Sequence, residues 1–140
     1  MKITIVGSSI FAKQMVEYRD KLRALGHSCD VHPHYVAQAK GEMIDLIGRM
    51  GKEHAAVKKE YDYIRVHYNE IVNSDAILVL NFDKNGVVNY IGGNTLMEIG
   101  FAHVHNKKIF LLNPIPEISY KDEIEAMTDV VLNNDLALIK

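Results

Sequence analysis

The chain of 140 residues has a single cysteine, Cys29, so it can close no internal disulfide, and it lacks the paired cysteines of structural zinc sites. That usage suits a reducing compartment. Charge of one sign is also scarce: 16 basic against 18 acidic residues leave a formal net charge of -2, too weak a field to draw DNA, RNA or an anionic membrane. A small neutral or mildly anionic ligand stays open. No apolar run approaches the roughly 20 residues that span a bilayer, and the opening MKITIVGSS lacks the about 7 to 15 apolar residues of a secretory signal. The expectation is a soluble, cytoplasmic protein with neither a nucleic-acid polymer nor a membrane as partner. Repeats, low-complexity segments and interdomain linkers are missing too. A chain of this length forms one domain, residues 1–140, burying roughly two thirds of its unfolded surface.

What is present is a set of short apolar runs, Ile3 to Val6, Ala76 to Leu80 and Ile109 to Leu112, each rich in Ile, Val or Leu and bounded by polar residues or glycine. Continuous rather than alternating apolarity marks strands covered on both faces, as in a parallel sheet flanked by helices. A first helix is predicted from about Phe11 to Leu25, stopped by Gly26, and a second strand from Ser28 to His32, ended by Pro33. Between Val36 and Asn73 the pattern is helical. Met43, Ile44, Ile47 and Met50 share one face, and Val57, Tyr61, Ile64, Tyr68 and Ile71 a longer one, with a break near residue 51. NFDKNGVVNYIGG is a turn-rich loop, followed by a helix from about Thr95 to His105. A short helix near Asp122 to Met127 and a weak strand near Val130 to Leu132 close the chain. The class is α/β, expected as a doubly wound, five-stranded, mainly parallel sheet with helices on both faces.

Two places can carry chemistry. Gly7, Ser8 and Ser9 sit between the first strand and first helix, where unpaired amides and the helix dipole favour a phosphate, sugar hydroxyl or carboxylate. The plain alternative is a serine cap. The stretch matches neither the GxGxxG nor the GxxxxGK[ST] pattern. The second place is GGNTLMEIGFAHVHNKK, where Glu98 follows Gly92, Gly93 and Asn94. Thr95 and Glu98 have the spacing of a capping box, worth on the order of 1 kcal/mol for the threonine alone. As a functional group, Glu98 would be a carboxylate facing the crevice, with the glycines admitting a ligand to the backbone and Gly100 letting the helix pack closely. Neither His103 with His105 nor His32 with His34 offers a third ligand, so no metal site is expected. Tyr61, Tyr63 and Tyr68 read as core or interface, and Lys107 and Lys108 as helix-terminus charges.

The combination of IVGSS, NSDAILVL, a glycine-bearing loop and MEIGFAHVHNKKIFLL resembles the nucleoside 2-deoxyribosyltransferase family and its relatives that hydrolyse nucleotide N-glycosidic bonds. The matching positions are Glu98, Ile99, Gly100, Phe101, Ala102 and Lys108, and the resemblance is specific from about Asn73 to Pro114. It implies that Glu98 is a nucleophile toward the anomeric carbon of a nucleoside or nucleotide, with no cofactor, and that the protein is a homodimer or higher homo-oligomer. Three positions depart from the family. His67 stands where relatives carry a sugar-binding aspartate, Gly92 where they carry aspartate or serine, and Glu125 where nucleotide hydrolases carry a phosphate-binding serine. His67 could replace the aspartate as hydrogen-bond partner or proton donor. A negative charge at Glu125 opposes a 5′-phosphate, and because Gly92 and Glu125 replace hydroxyl donors at the matching positions, nucleosides are expected to bind at least as well as their monophosphates. The competing expectation is a non-catalytic nucleotide-binding or sensing module on the same fold.

Overall fold

The computed structural model describes residues 1–42, 55, 56, 59 and 62–140. β1 spans Lys2–Gly7, and a 3-10 turn over Ser9–Phe11 leads into α1, Ala12–Ala24. β2 is Ser28–Asp30, α2 is Pro33–Ala39, α3 is Tyr63–Val72 and β3 is Ala76–Leu80. α4 follows over Gly93–Val104, β4 over Lys108–Leu111, α5 over Lys121–Met127 and β5 over Val130–Val131.

The strands form one sheet in the order β2-β1-β3-β4-β5, and each neighbouring pair is parallel. β3 lies at the centre and is buried at every position, as its uninterrupted apolar sequence requires. Its side chains alternate between faces. Leu78 and Leu80 pack with Met15, Tyr18 and Leu22 of α1, while Ile77 and Val79 pack with Ile71, Ile99 and Ile124 from α3, α4 and α5. The architecture is thus the doubly wound, five-stranded α/β fold expected from the sequence, in the flavodoxin-like strand order. In that order the winding reverses between β1 and β3, and an open sheet leaves a crevice outside the carboxyl ends of its strands there. Gly7 and Leu80, paired at the ends of these two strands, mark its floor.

Several boundaries differ from the expected ones. β2 stops at Asp30 instead of reaching His32, because Pro33 opens α2 as its first residue and His32 caps it, its Nδ1 accepting from the His34 amide at 3.1 Å. α4 begins at Gly93, two residues before Thr95. Gly92 is its N-cap with no side-chain cap, and the Leu96 amide donates to the Gly92 carbonyl at 2.9 Å. The Thr95–Glu98 capping box is therefore not formed: Thr95 is already inside the first turn, and Glu98 lies in the second. A Cβ at Gly100 would meet nothing within 4 Å, so close packing does not demand that glycine. Met43, Ile44, Ile47, Met50, Val57, Tyr61 and the break near residue 51 fall outside the described residues. Of the longer helical face, Ile71 is fully buried, Tyr68 half-buried and Ile64 exposed. Among the described residues, no helix is long and apolar enough to cross a membrane.

Candidate active site at the carboxyl ends of the strands

A cleft of about 150 Å³ opens at the reversal point. The turn after β1 contributes Gly7, Ser8 and Ser9, the start of α4 contributes Gly92, Gly93, Asn94 and Glu98, and α3 contributes His67. The structure thus brings together all the residues that the sequence singled out for a ligand. Gly7 is needed sterically, since a Cβ there would stand 3.0 Å from the Leu80 carbonyl oxygen. Ser8 does not cap the 3-10 turn that follows it. Its Oγ instead accepts from Lys84 Nζ at 2.8 Å. The Ser9 carbonyl accepts from Gln38 Nε2 at 2.8 Å, which fastens the turn to α2.

Glu98 is 4% exposed, a carboxylate held inside the protein rather than on a helix surface. Burial of this kind is tolerated only when the oxygens are partnered. Asn94, one helical turn earlier, donates from Nδ2 to Glu98 Oε1 at 2.8 Å. His67 Nδ1 lies 3.5 Å from Oε2, too long for a hydrogen bond but an ion pair when the imidazole is protonated. The carboxylate is thus held by side chains, and it lines the cleft. Glu98 and His67 therefore meet side by side in the cleft.

His67 belongs to a wider cluster. Its ring stacks on Tyr63 at 6.1 Å between centroids, and the His32 ring lies 5.4 Å from Tyr63 and 6.2 Å from His67. Tyr63 Oη contacts His34 Nδ1. Burial, then the neighbouring His34 and His67, pushes His32 down to about 4. Burial, then the Glu98 charge, pushes the Tyr35 phenol up, so it stays protonated as a cleft wall. His32 and His34 thus meet aromatic rings, and no group of three potential ligands for a metal occurs among the described residues. His105, expected to diverge from His103, bonds through Nε2 to Tyr68 Oη at 2.8 Å. Lys108 Nζ donates to the Lys140 carbonyl at 2.5 Å, away from the cleft.

Sequence reasoning missed Tyr35, Tyr63, Lys84, Tyr90 and Phe101, which also line the cleft. Tyr63 was read as core or interface and is indeed buried, but it forms a cleft wall as well. Lys84 and Tyr90 sit in a loop whose only local signature is turn-forming residues. Nothing in that pattern says that the loop folds back over the β1 turn.

No protein-family model matches the sequence, and no curated protein matches it. Among solved structures the chain is similar to the CMP N-glycosidase BcmB of Clostridium botulinum, with a TM-score of 0.50 and 15% identity, over 94% of this chain and 85% of that one. The two share an α/β fold. At that identity the likeness concerns the architecture.

Proposed function

We propose that this protein cleaves, or transfers across, the N-glycosidic bond of a nucleoside 5′-monophosphate, with Glu98 as nucleophile. The observation that carries the reading is the buried Glu98 carboxylate, free of backbone capping, held by Asn94 and set beside His67 in the crevice. The fold shared with a CMP N-glycosidase supports it. A Glu98 oxygen attacks the anomeric carbon as the carbon–nitrogen bond breaks, giving a glycosyl ester, and the bonding pair leaves with the base. The departing base takes up a proton, in this reading from His67, which lines the cleft beside Glu98. Water, losing a proton to His67, then opens the ester with net retention and restores the carboxylate; a second base in place of water gives transfer.

Lys84 supports the monophosphate over the nucleoside. It is the one lysine or arginine among the described residues that line the cleft, and it already bonds Ser8 in the turn after β1. A phosphate on that pair gains a charge-assisted contact, which outweighs the expectation drawn from Glu125, an exposed residue outside the cleft lining. The competing reading, a binding or sensing module, is favoured by one observation: Glu98 is the one carboxylate among the described lining residues.

Incubation with a panel of nucleosides and their 5′-monophosphates, monitored for free base, tests the proposal. Release from monophosphates by the wild type and not by Glu98→Gln is expected. Base release by Glu98→Gln at the wild-type rate removes Glu98 from the chemistry. Tight binding without release by either protein establishes the sensing module instead.

A further inference from the structure

Tyr90 occupies the space that a side chain at position 92 would need. An ideal Cβ on Gly92 would stand 2.9 Å from the Tyr90 hydroxyl oxygen and 3.1 Å from its ring. The backbone of Gly92, at φ -83 and ψ 174, is one that any residue adopts, so the phenol and not backbone strain is what excludes a larger residue there. The same ring meets the cationic end of the cleft, with Lys84 Nζ over it, 5.3 Å from its centroid. Tyr90 therefore reaches from the ammonium that bonds Ser8 to the N-cap of the helix that carries Glu98.

Its position is also fixed. The Tyr90 amide donates to the Phe82 carbonyl at 3.0 Å, closing the base of the loop, and the next residue is held where Tyr120 Oη donates to the Ile91 carbonyl at 2.5 Å. At the other stem, fully buried Asn81 donates from Nδ2 to the Asn113 and Pro114 carbonyls at 2.9 and 3.1 Å. The phenol is a wall set by the sheet.

Granting the proposed reading, the anomeric carbon meets Glu98 and the phosphate meets Lys84, and the group between them is the sugar ring. We infer that Tyr90 is a specificity-determining residue whose hydroxyl hydrogen-bonds a ribose hydroxyl, replacing a polar side chain that Gly92 cannot provide. The inference rests on that reading for the direction in which the nucleotide lies.

Calorimetric titration of the Glu98→Gln protein, which holds substrate without turning it over, tests it with a ribonucleoside 5′-monophosphate and its 2′-deoxy and 3′-deoxy analogues. Adding Tyr90→Phe is expected to weaken binding of the ribonucleotide by roughly 3- to 10-fold, the range of one neutral hydrogen bond. The same change should leave unaltered the analogue that lacks the bonded hydroxyl. Within the Glu98→Gln protein, Gly92→Ala displaces the ring and is expected to reproduce the loss where Tyr90 is present and to add nothing beside Tyr90→Ala, the non-additivity of groups in contact. Equal effects of Tyr90→Phe on all three nucleotides overturn the inference, as does a fully additive Gly92→Ala. Failure of all three to bind overturns it together with the nucleotide reading. Discrimination by Tyr90 in a protein that never releases base upholds it while overturning catalysis.

Discussion

At Glu98, glutamine keeps an oxygen that can accept from Asn94, so Glu98→Gln should retain the fold while turnover falls by about three or more orders of magnitude, measured as base released per enzyme against the melting temperature. His67→Ala separates acid-base work from packing. Loss of a proton donor slows reactions with poor leaving groups by about 10² to 10⁴ and spares those with activated bases, whereas a purely structural loss slows both alike. Lys84→Ala removes a charged donor, worth roughly 10- to 100-fold in monophosphate affinity, and leaves nucleoside affinity nearly unchanged. Calorimetry with both ligands reads the difference, and an equal loss for both would show that Lys84 only braces the loop. Gly7 and Ser8 were legible because a glycine and a serine between a strand and a helix carry local meaning, whereas Glu98 was legible only through its resemblance to a family motif, its local pattern pointing to a cap that does not form. Lys84 was not, because its relevance comes from a bond to Ser8, 76 residues away in the chain.

α2 joins the candidate site to pH. His32 caps it through Nδ1, and its ring is the centre of the cluster with His34, Tyr35, Tyr63 and His67. Its ordinary value is 6.5, and burial, with the two neighbouring histidines, lowers it to about 4 in the fold. Between those two values the unfolded chain binds more protons than the folded one, so stability falls as pH drops through the window and the loss is complete below about 4. Urea midpoints at pH 7 and 4.5 should differ more for the wild type than for His32→Asn, which keeps a capping oxygen without a titrating ring. An unchanged difference would place the acid sensitivity elsewhere. Pro33 shows why element ends are hard to read: one residue both stops a strand and starts a helix, and β2 ends at Asp30 because His32 serves as the cap of α2. α4 was misjudged for a similar reason. Thr95 and Glu98 fit a capping box locally, but the helix begins at Gly93, so Glu98 falls one turn too deep to reach the cap.

For the whole molecule we expect a homodimer or a higher assembly built from it. The apolar positions expected between Val36 and Asn73 exceed what one sheet face needs, and Ile64 and Val104, on α3 and α4, are 42% and 71% exposed. Sedimentation at micromolar concentration should give at least the dimer mass of this 15.8 kDa chain; a monomer would reject the expectation. The sequence by itself determined the class, the central strands and the alternation of strand and helix. Burial on both faces leaves a continuous apolar run that no surface segment tolerates, so Ala76 to Leu80 announces its place without reference to any neighbour. Only the tertiary structure decided the site. Parallel strands joined by crossovers bring their carboxyl ends to one edge, so Ser8, His67, Lys84 and Glu98, scattered along the chain, meet there. It also decided that Glu98 is partnered by side chains and not by a helix cap, because that depends on where the backbone enters α4, and it enters at Gly92.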